Sequence, residues 1–164
     1  MSGVATDAQI KEILKNAKRY LWDKELKGYR LNTDFSRSSF RASGGIPLSA
    51  TAESRKEREK AGKEEQRDLG RAFSFVYGDK ENGAFFNHMI VMFAFALYKR
   101  GYKKEGEKVL KSIYDMAINS KASLIYPCLP EYFNLEGRGM YSYLTGSASW
   151  FVYTFYLPNP PILI

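Results

Sequence analysis

"MIVMFAFALYKRG", Met89–Gly101, decides the fold. From Met89 to Tyr98 it is a continuous apolar run of ten residues. That is about half of the ~20 needed to cross a bilayer. Lys99 and Arg100 follow, placing cations where a helix carries partial negative charge, and Gly101 stands at the C-cap. The stretch therefore predicts a helix that is apolar on nearly all sides. Such a helix has to be buried between neighbours.

The flanking sequence supplies those neighbours. About Lys103 to Ile118, a helix carries Val109, Leu110, Ile113, Met116 and Ala117 on one face. Near the start, Ile10, Ile13, Leu14, Ala17 and Leu21 follow one-sided helical spacing, with Thr6 and Gln9 at capping-box spacing ahead of them. "KGYRLNTDF" (Lys27–Phe35) reads as a turn and an extended piece. "SASWFVYTFYL" predicts a second buried helix, Ser147–Tyr156, which "PNPPILI" stops. Buried helices thus alternate with one-sided ones in an all-α pattern, as two concentric layers require. Four or five helices are few for a closed ring, so the expectation is an arc with an apolar edge left open.

With 164 residues, 45% hydrophobic and 26% charged, the chain reads as a single globular domain, 1–164. One segment departs from it. Ser36 to Asp68 has a single aromatic, Phe40, and its second half, Thr51 to Asp68, balances six acids against six bases. With no apolar face for docking, it reads as a polar insert, either a loop or an exposed single helix.

A net charge of +7 raises the question of nucleic acid. The bases are interleaved with acids, as in "KEILKNAKRY" and "KKEGEKVLKS", and no nucleic-acid motif accompanies them. No specific nucleic-acid partner is expected; an anionic small substrate suits a basic protein equally well. The single Cys128 excludes an internal disulfide, and "MSGVATDAQIKEIL" lacks the pattern of a signal peptide. A soluble, cytoplasmic protein without a membrane partner is expected.

Two stretches hold candidate chemistry. In "ENGAFFNH", Glu81, Asn82 and Gly83 precede a helix start that holds Asn87 and His88 in its first turn. His88, the only histidine, is either a hydrogen-bonded core residue or a functional one. A helix N-terminus offers unpaired N–H groups and partial positive charge, both suited to an anion. In "PEYFNLEGRGMYSYLTGSASW" (Pro130–Trp150), Thr145 can cap the Ser147–Tyr156 helix, and Gly146 permits close approach to its N–H. Plain capping and ligand binding both remain open. If the two helix starts converge, they and Arg138 would form a phosphate cradle. One histidine and one cysteine cannot build a metal cluster, and neither a P-loop nor a G-x-G-x-x-G run occurs. No metal or cofactor is expected.

Together, "KENGAFFNHMIVMFAFALYKRGYKKEGEKVL" and "IYPCLPEYFNLEGRGMYSYLTGSASWF" resemble the C-terminal part of the catalytic domain of glycoside hydrolase family 94. That family comprises cellobiose, chitobiose and related phosphorylases and the phosphorylase part of cyclic β-1,2-glucan synthases. The 1,2-β-oligoglucan phosphorylase branch looks most similar, also through "GYRLNTDF" and "LGRAFSFVYG". The resemblance runs from about Lys11 to Thr154 apart from the insert. It implies a partial (α/α)6 barrel and inverting phosphorolysis of a β-glucosidic bond, with inorganic phosphate as co-substrate and a β-glucan oligosaccharide as substrate. By the same resemblance, His88, Thr145 and Gly146 match the phosphate-binding positions, Glu81 a sugar-contacting one, and Glu131 borders that site.

Departures accompany the match. No D-W-N-D-type motif, which carries the family's general acid, occurs in these residues; "LWDKEL" around Asp23 is not one. A further phosphate-holding arginine, the early barrel helices and the N-terminal β-sandwich have no counterpart either. The expectation is a C-terminal piece of the enzyme, inactive alone, partnered by an N-terminal half of the same enzyme or by a second copy.

Overall fold

The computed structural model describes residues 4–34, 75–125, 128–142 and 144–158, apart from the side chains of Leu144 and Thr145. The Ser36–Asp68 insert lies outside the described residues. Helix α1, Asp7–Asn16, begins as its sequence predicts: Gln9 N–H donates to Thr6 Oγ1 (3.3 Å) and Thr6 N–H to Gln9 Oε1 (2.8 Å). This reciprocal cap is worth about 1 kcal/mol. The helix widens into a π-helical turn over Ala17–Leu21, closed by Trp22 N–H on Ala17 O (3.1 Å).

The decisive stretch forms α2, Asn87–Lys99, which packs antiparallel on α3, Lys103–Ile118. Between them Gly101 adopts φ +81°, while its N–H bonds Tyr98 O (3.0 Å) and Tyr102 N–H bonds Leu97 O (2.9 Å). These two bonds form a Schellman motif, which explains the glycine at that point. The helices approach closely because Gly106 of α3 lies under the Tyr98 ring; a Cβ there would sit 2.9 Å from it. Ile90, Val91, Ala94 and Leu97 of α2 join Val109, Leu110, Ile113 and Met116 of α3 in the core, with Ile10 of α1 completing one side. The predicted apolar face of α3 is the buried one.

Two expectations need correction. The fold is helix-rich but not all-α. Short strands β1 (Phe85–Phe86), β2 (Pro130–Phe133) and β3 (Gly139–Ser142) form an antiparallel sheet in the order β1-β2-β3, and a short helix α4, Ser120–Ser123, precedes β2. Strands of two to four residues are too short to develop a period that sequence reading can detect. Phe85 and Phe133, partners across β1 and β2, carry the sheet's inner face into the helical core.

The second correction concerns the apolar helices. Met89 and Met92 on α2 are exposed. Helix α5, Ser149–Tyr156, buries only Thr154, and Val152, Tyr153, Phe155 and Tyr156 are each about half exposed. Helix α5 packs against α2 and lies at the edge of the described structure. No helix among the described residues is long and apolar enough to cross a membrane.

Candidate functional site

The two helix starts singled out by sequence do meet, and Pro130 joins them. Asn87, the first residue of α2 and fully buried, donates Nδ2–H to the Pro130 carbonyl at 2.8 Å. Ser147, in the turn preceding α5, donates its hydroxyl to the same oxygen at 3.0 Å. One buried acceptor thus ties the start of α2, the start of β2 and the start of the last helical segment. Helix α2 leaves β1 at Phe86, whose strand partner is Tyr132, so the strand pairing delivers Asn87 to Pro130.

His88 is the second residue of α2 and half-buried. Its ring centroid lies 6.2 Å from that of Trp150 on α5, tilted by 39°. Gly146 stands in the facing turn. Residues Leu144–Ala148 form a π-helical turn that runs directly into α5, with Ala148 in helical conformation. Thr145 is therefore the second residue of a helical turn and not the N-cap of a helix beginning at Ser147. Its side chain lies outside the described residues.

The turn ahead of β1 is built by a hydrogen-bond network that the sequence does not announce. Asn32 Oδ1 accepts Gly83 N–H (2.8 Å), and its Nδ2 donates to Asn82 Oδ1 (3.1 Å). Asn82 Nδ2 in turn donates to Phe75 O (2.7 Å). Tyr77 bridges Asn32 O (3.2 Å) and Arg30 Nη1 (3.3 Å), and Arg30 also pairs with Asp23. Burial opposes ionisation of Asp23, but Leu26 N–H, the Arg30 guanidinium and Glu25 N–H outweigh it, so the carboxyl stays below its ordinary range. The "GYRLN" piece, read from sequence as a turn and an extended segment, thus fixes the turn that carries Glu81. Glu81 itself is half-buried; its Oε2 is shielded from solvent and has no hydrogen-bond partner among the described residues.

Glu131 is half-buried in β2 between Pro130 and Tyr132. Arg138 does not join the site. It is exposed in the β2–β3 hairpin, where Asn134 Oδ1 accepts N–H groups from Glu136 (3.1 Å) and Arg138 (2.9 Å). That turn is at the Phe133–Gly139 end of the strands, whereas the site is at the Pro130–Ser142 end. A groove of about 660 Å³ between α3 and α5, lined by Tyr98, Leu110, Tyr114, Phe151 and Phe155, also lies elsewhere. Tyr98 belongs to the last turn of α2, and His88 to its first. Among the described residues no group of three His, Cys, Asp or Glu side chains gathers as a metal site requires.

What the arrangement offers chemically is a helix N-terminus with an imidazole beside it and a glycine-bearing turn opposite. Of the two half-buried carboxylates, Glu131 follows Pro130 in β2 and Glu81 belongs to the turn ahead of β1. No protein-family model matches the sequence, and neither does any curated protein.

Proposed function

We propose that these residues form the phosphate-binding side of an inverting glycoside phosphorylase of the family 94 type, as an arc of an (α/α)6 barrel. The observation that carries this reading is the Pro130 carbonyl, which holds the start of α2 and the Leu144–Ala148 turn together. It brings His88 and Gly146, matched to phosphate positions by resemblance alone, onto facing elements. In the reaction, a phosphate oxygen attacks the anomeric carbon as the glycosidic C–O bond breaks, and a carboxylic acid protonates the leaving oxygen. The products are α-glucose 1-phosphate and a shortened β-glucan. The N–H groups at the start of α2 and His88 hold the attacking anion, and Glu81 contacts the sugar. The protein acts in the cytoplasm with phosphate as co-substrate, and these residues need neither metal nor organic cofactor. The general acid comes from outside them.

Titration with inorganic phosphate tests the reading, followed by calorimetry or phosphorus NMR. Saturable binding should weaken about tenfold in His88→Ala, the order expected on losing one charge-assisted partner of an anion. Binding indifferent to His88, or none, refutes it. The purified chain should release no glucose 1-phosphate from β-1,2-gluco-oligosaccharides and phosphate; robust release would refute the absence of a general acid.

The exposed apolar residues of α5, several of which line its groove with α3, favour a second role, completion of the barrel with a separate chain or a second copy. Val152, Tyr153, Phe155 and Tyr156 would be covered in that assembly. A chain that stays monomeric and soluble at high concentration, and gains nothing from a co-expressed N-terminal half, argues against it.

A further inference from the structure

The sheet carries a row of rings on the face opposite Phe85 and Phe133. Phe86 and Tyr132, strand partners, stack with centroids 6.4 Å apart and planes at 11°. Tyr141 of β3 continues the row, 6.1 Å from Tyr132. Strand alternation alone does not put it there. The pairs Pro130↔Ser142 and Tyr132↔Met140 set Tyr141 across from Glu131, on the other face. The backbone of Tyr141 departs from the strand instead, at φ +59°. A bulky residue in the left-handed region is a costly outlier, and such strain gathers at ligand clamps.

Lys80 has the same signature. It stands at φ +46°, its ammonium 5.0 Å from the Tyr141 centroid and 5.1 Å from that of Phe75. Two non-glycine residues in strained conformations therefore face each other across one ring. Tyr141 nevertheless remains 56% exposed. Tyr132 behind it is almost wholly buried; burial, then the charges of Asp79, Tyr141 and Glu131, push its phenol up to about 12, so it stays a neutral hydroxyl.

We propose that Tyr141, backed by Tyr132 and Phe86 and oriented by Lys80, is a stacking platform for a neutral sugar ring. An exposed aromatic face attracts the weakly positive C–H face of a pyranose. The charges nearby select against anions. Asp79 and Glu131 lie close enough to act on the Tyr132 phenol, and the cation at the platform, Lys80, is already engaged by two rings. A nucleic-acid strand would bring phosphates towards those carboxylates, whereas sugar hydroxyls can donate to them. The fixed ring also lowers the ordering cost of binding. The assignment rests on the sugar side of the proposed function and names the residues that make it.

The test is titration of the whole chain with a short β-1,2-linked gluco-oligosaccharide in the absence of phosphate. Tyr141→Phe keeps the ring and Tyr141→Leu keeps apolar bulk without it, both at the same backbone conformation. Sugar affinity should stay within about threefold in Tyr141→Phe and fall about tenfold in Tyr141→Leu, with far-UV circular dichroism unchanged. Should Tyr141→Leu fail to fold, Lys80→Gln serves, with an expected loss of about threefold from a less ordered ring. Absence of sugar binding, equal binding by Tyr141→Leu, or ring-dependent capture of oligo-dT overturns the platform. Loss of the platform with His88-dependent phosphate binding retained leaves the phosphate reading standing. The reverse pattern removes the phosphate reading alone.

Discussion

Removal of both donors from the Pro130 carbonyl should cost more than the sum of the single removals. The carbonyl is buried and accepts from Asn87 Nδ2 at 2.8 Å and from Ser147 Oγ at 3.0 Å. In Asn87→Ala or Ser147→Ala one donor remains, so each change loses a hydrogen bond worth about 1 kcal/mol net. Asn87→Ala also removes Oδ1, which is buried without a partner among the described residues, and this offsets part of its loss. The double variant leaves the oxygen with neither side-chain donor. An orphaned buried acceptor costs about 1–3 kcal/mol, so the coupling term should be about 1–2 kcal/mol beyond additivity. Other contacts of either residue cancel in the cycle. Urea unfolding of the wild type, both single variants and the double variant measures it, provided the m-values agree. Additivity within about 0.5 kcal/mol would show that the carbonyl does not join the two helix starts energetically, and the site as described would fall with it.

Two further outcomes test the supports of the site. Gly101→Ala should cost only about 1–2 kcal/mol, because its Cβ meets nothing within 4 Å among the described residues and the left-handed backbone is the obstacle they show. At Gly83, φ +76° is combined with a Cβ that would overlap the Tyr77 ring, breaking its bonds to Arg30 and Asn32; about 2–4 kcal/mol should be lost by the same urea assay. Equal costs at the two glycines would refute the Tyr77 clamp. The Asp23–Arg30 pair predicts acid sensitivity with a definite sign. The folded pKa of Asp23 lies below its ordinary 3.8, so its stabilisation is complete above that pH and is lost as pH falls through the folded value. Asp23→Asn should flatten the stability–pH curve below about pH 4; an unchanged slope there would assign the acid sensitivity to other carboxyls.

Sequence reading identified those features whose cause is local. The capping box at Thr6 and Gln9, the glycine closing α2 and the buried face of α3 each follow from residues a few positions apart, and each is found as read. It failed where the cause lies far along the chain. The sheet forms because Phe85 and Phe86 meet Phe133 and Tyr132 nearly fifty residues later, and neither strand is long enough to declare itself. Asn32 fixes the turn before β1 from fifty residues upstream, within a piece that reads as a turn and an extended segment. Arg138 shows the converse error. Sequence reading has it complete a phosphate cradle if the two helix starts converge, but the hairpin sends it to the far end of the strands.

The widened turn before α5 changes how that end of the site has to work. Read from sequence, Thr145 caps a helix and Gly146 opens it. In a π-helical turn over Leu144–Ala148, bonding runs from i to i+5, which leaves the first five N–H groups without an intrahelical acceptor, one more than in an α-helix. Gly146 is the central residue of that turn, and its carbonyl is occupied by the Ser149 hydroxyl at 3.3 Å. A cap would have met one of these donors from within the chain. The turn is instead anchored to Pro130 by the Ser147 hydroxyl. For the proposed phosphate site, the residue whose replacement should matter most on this side is Ser147, because its hydroxyl ties the turn to Pro130.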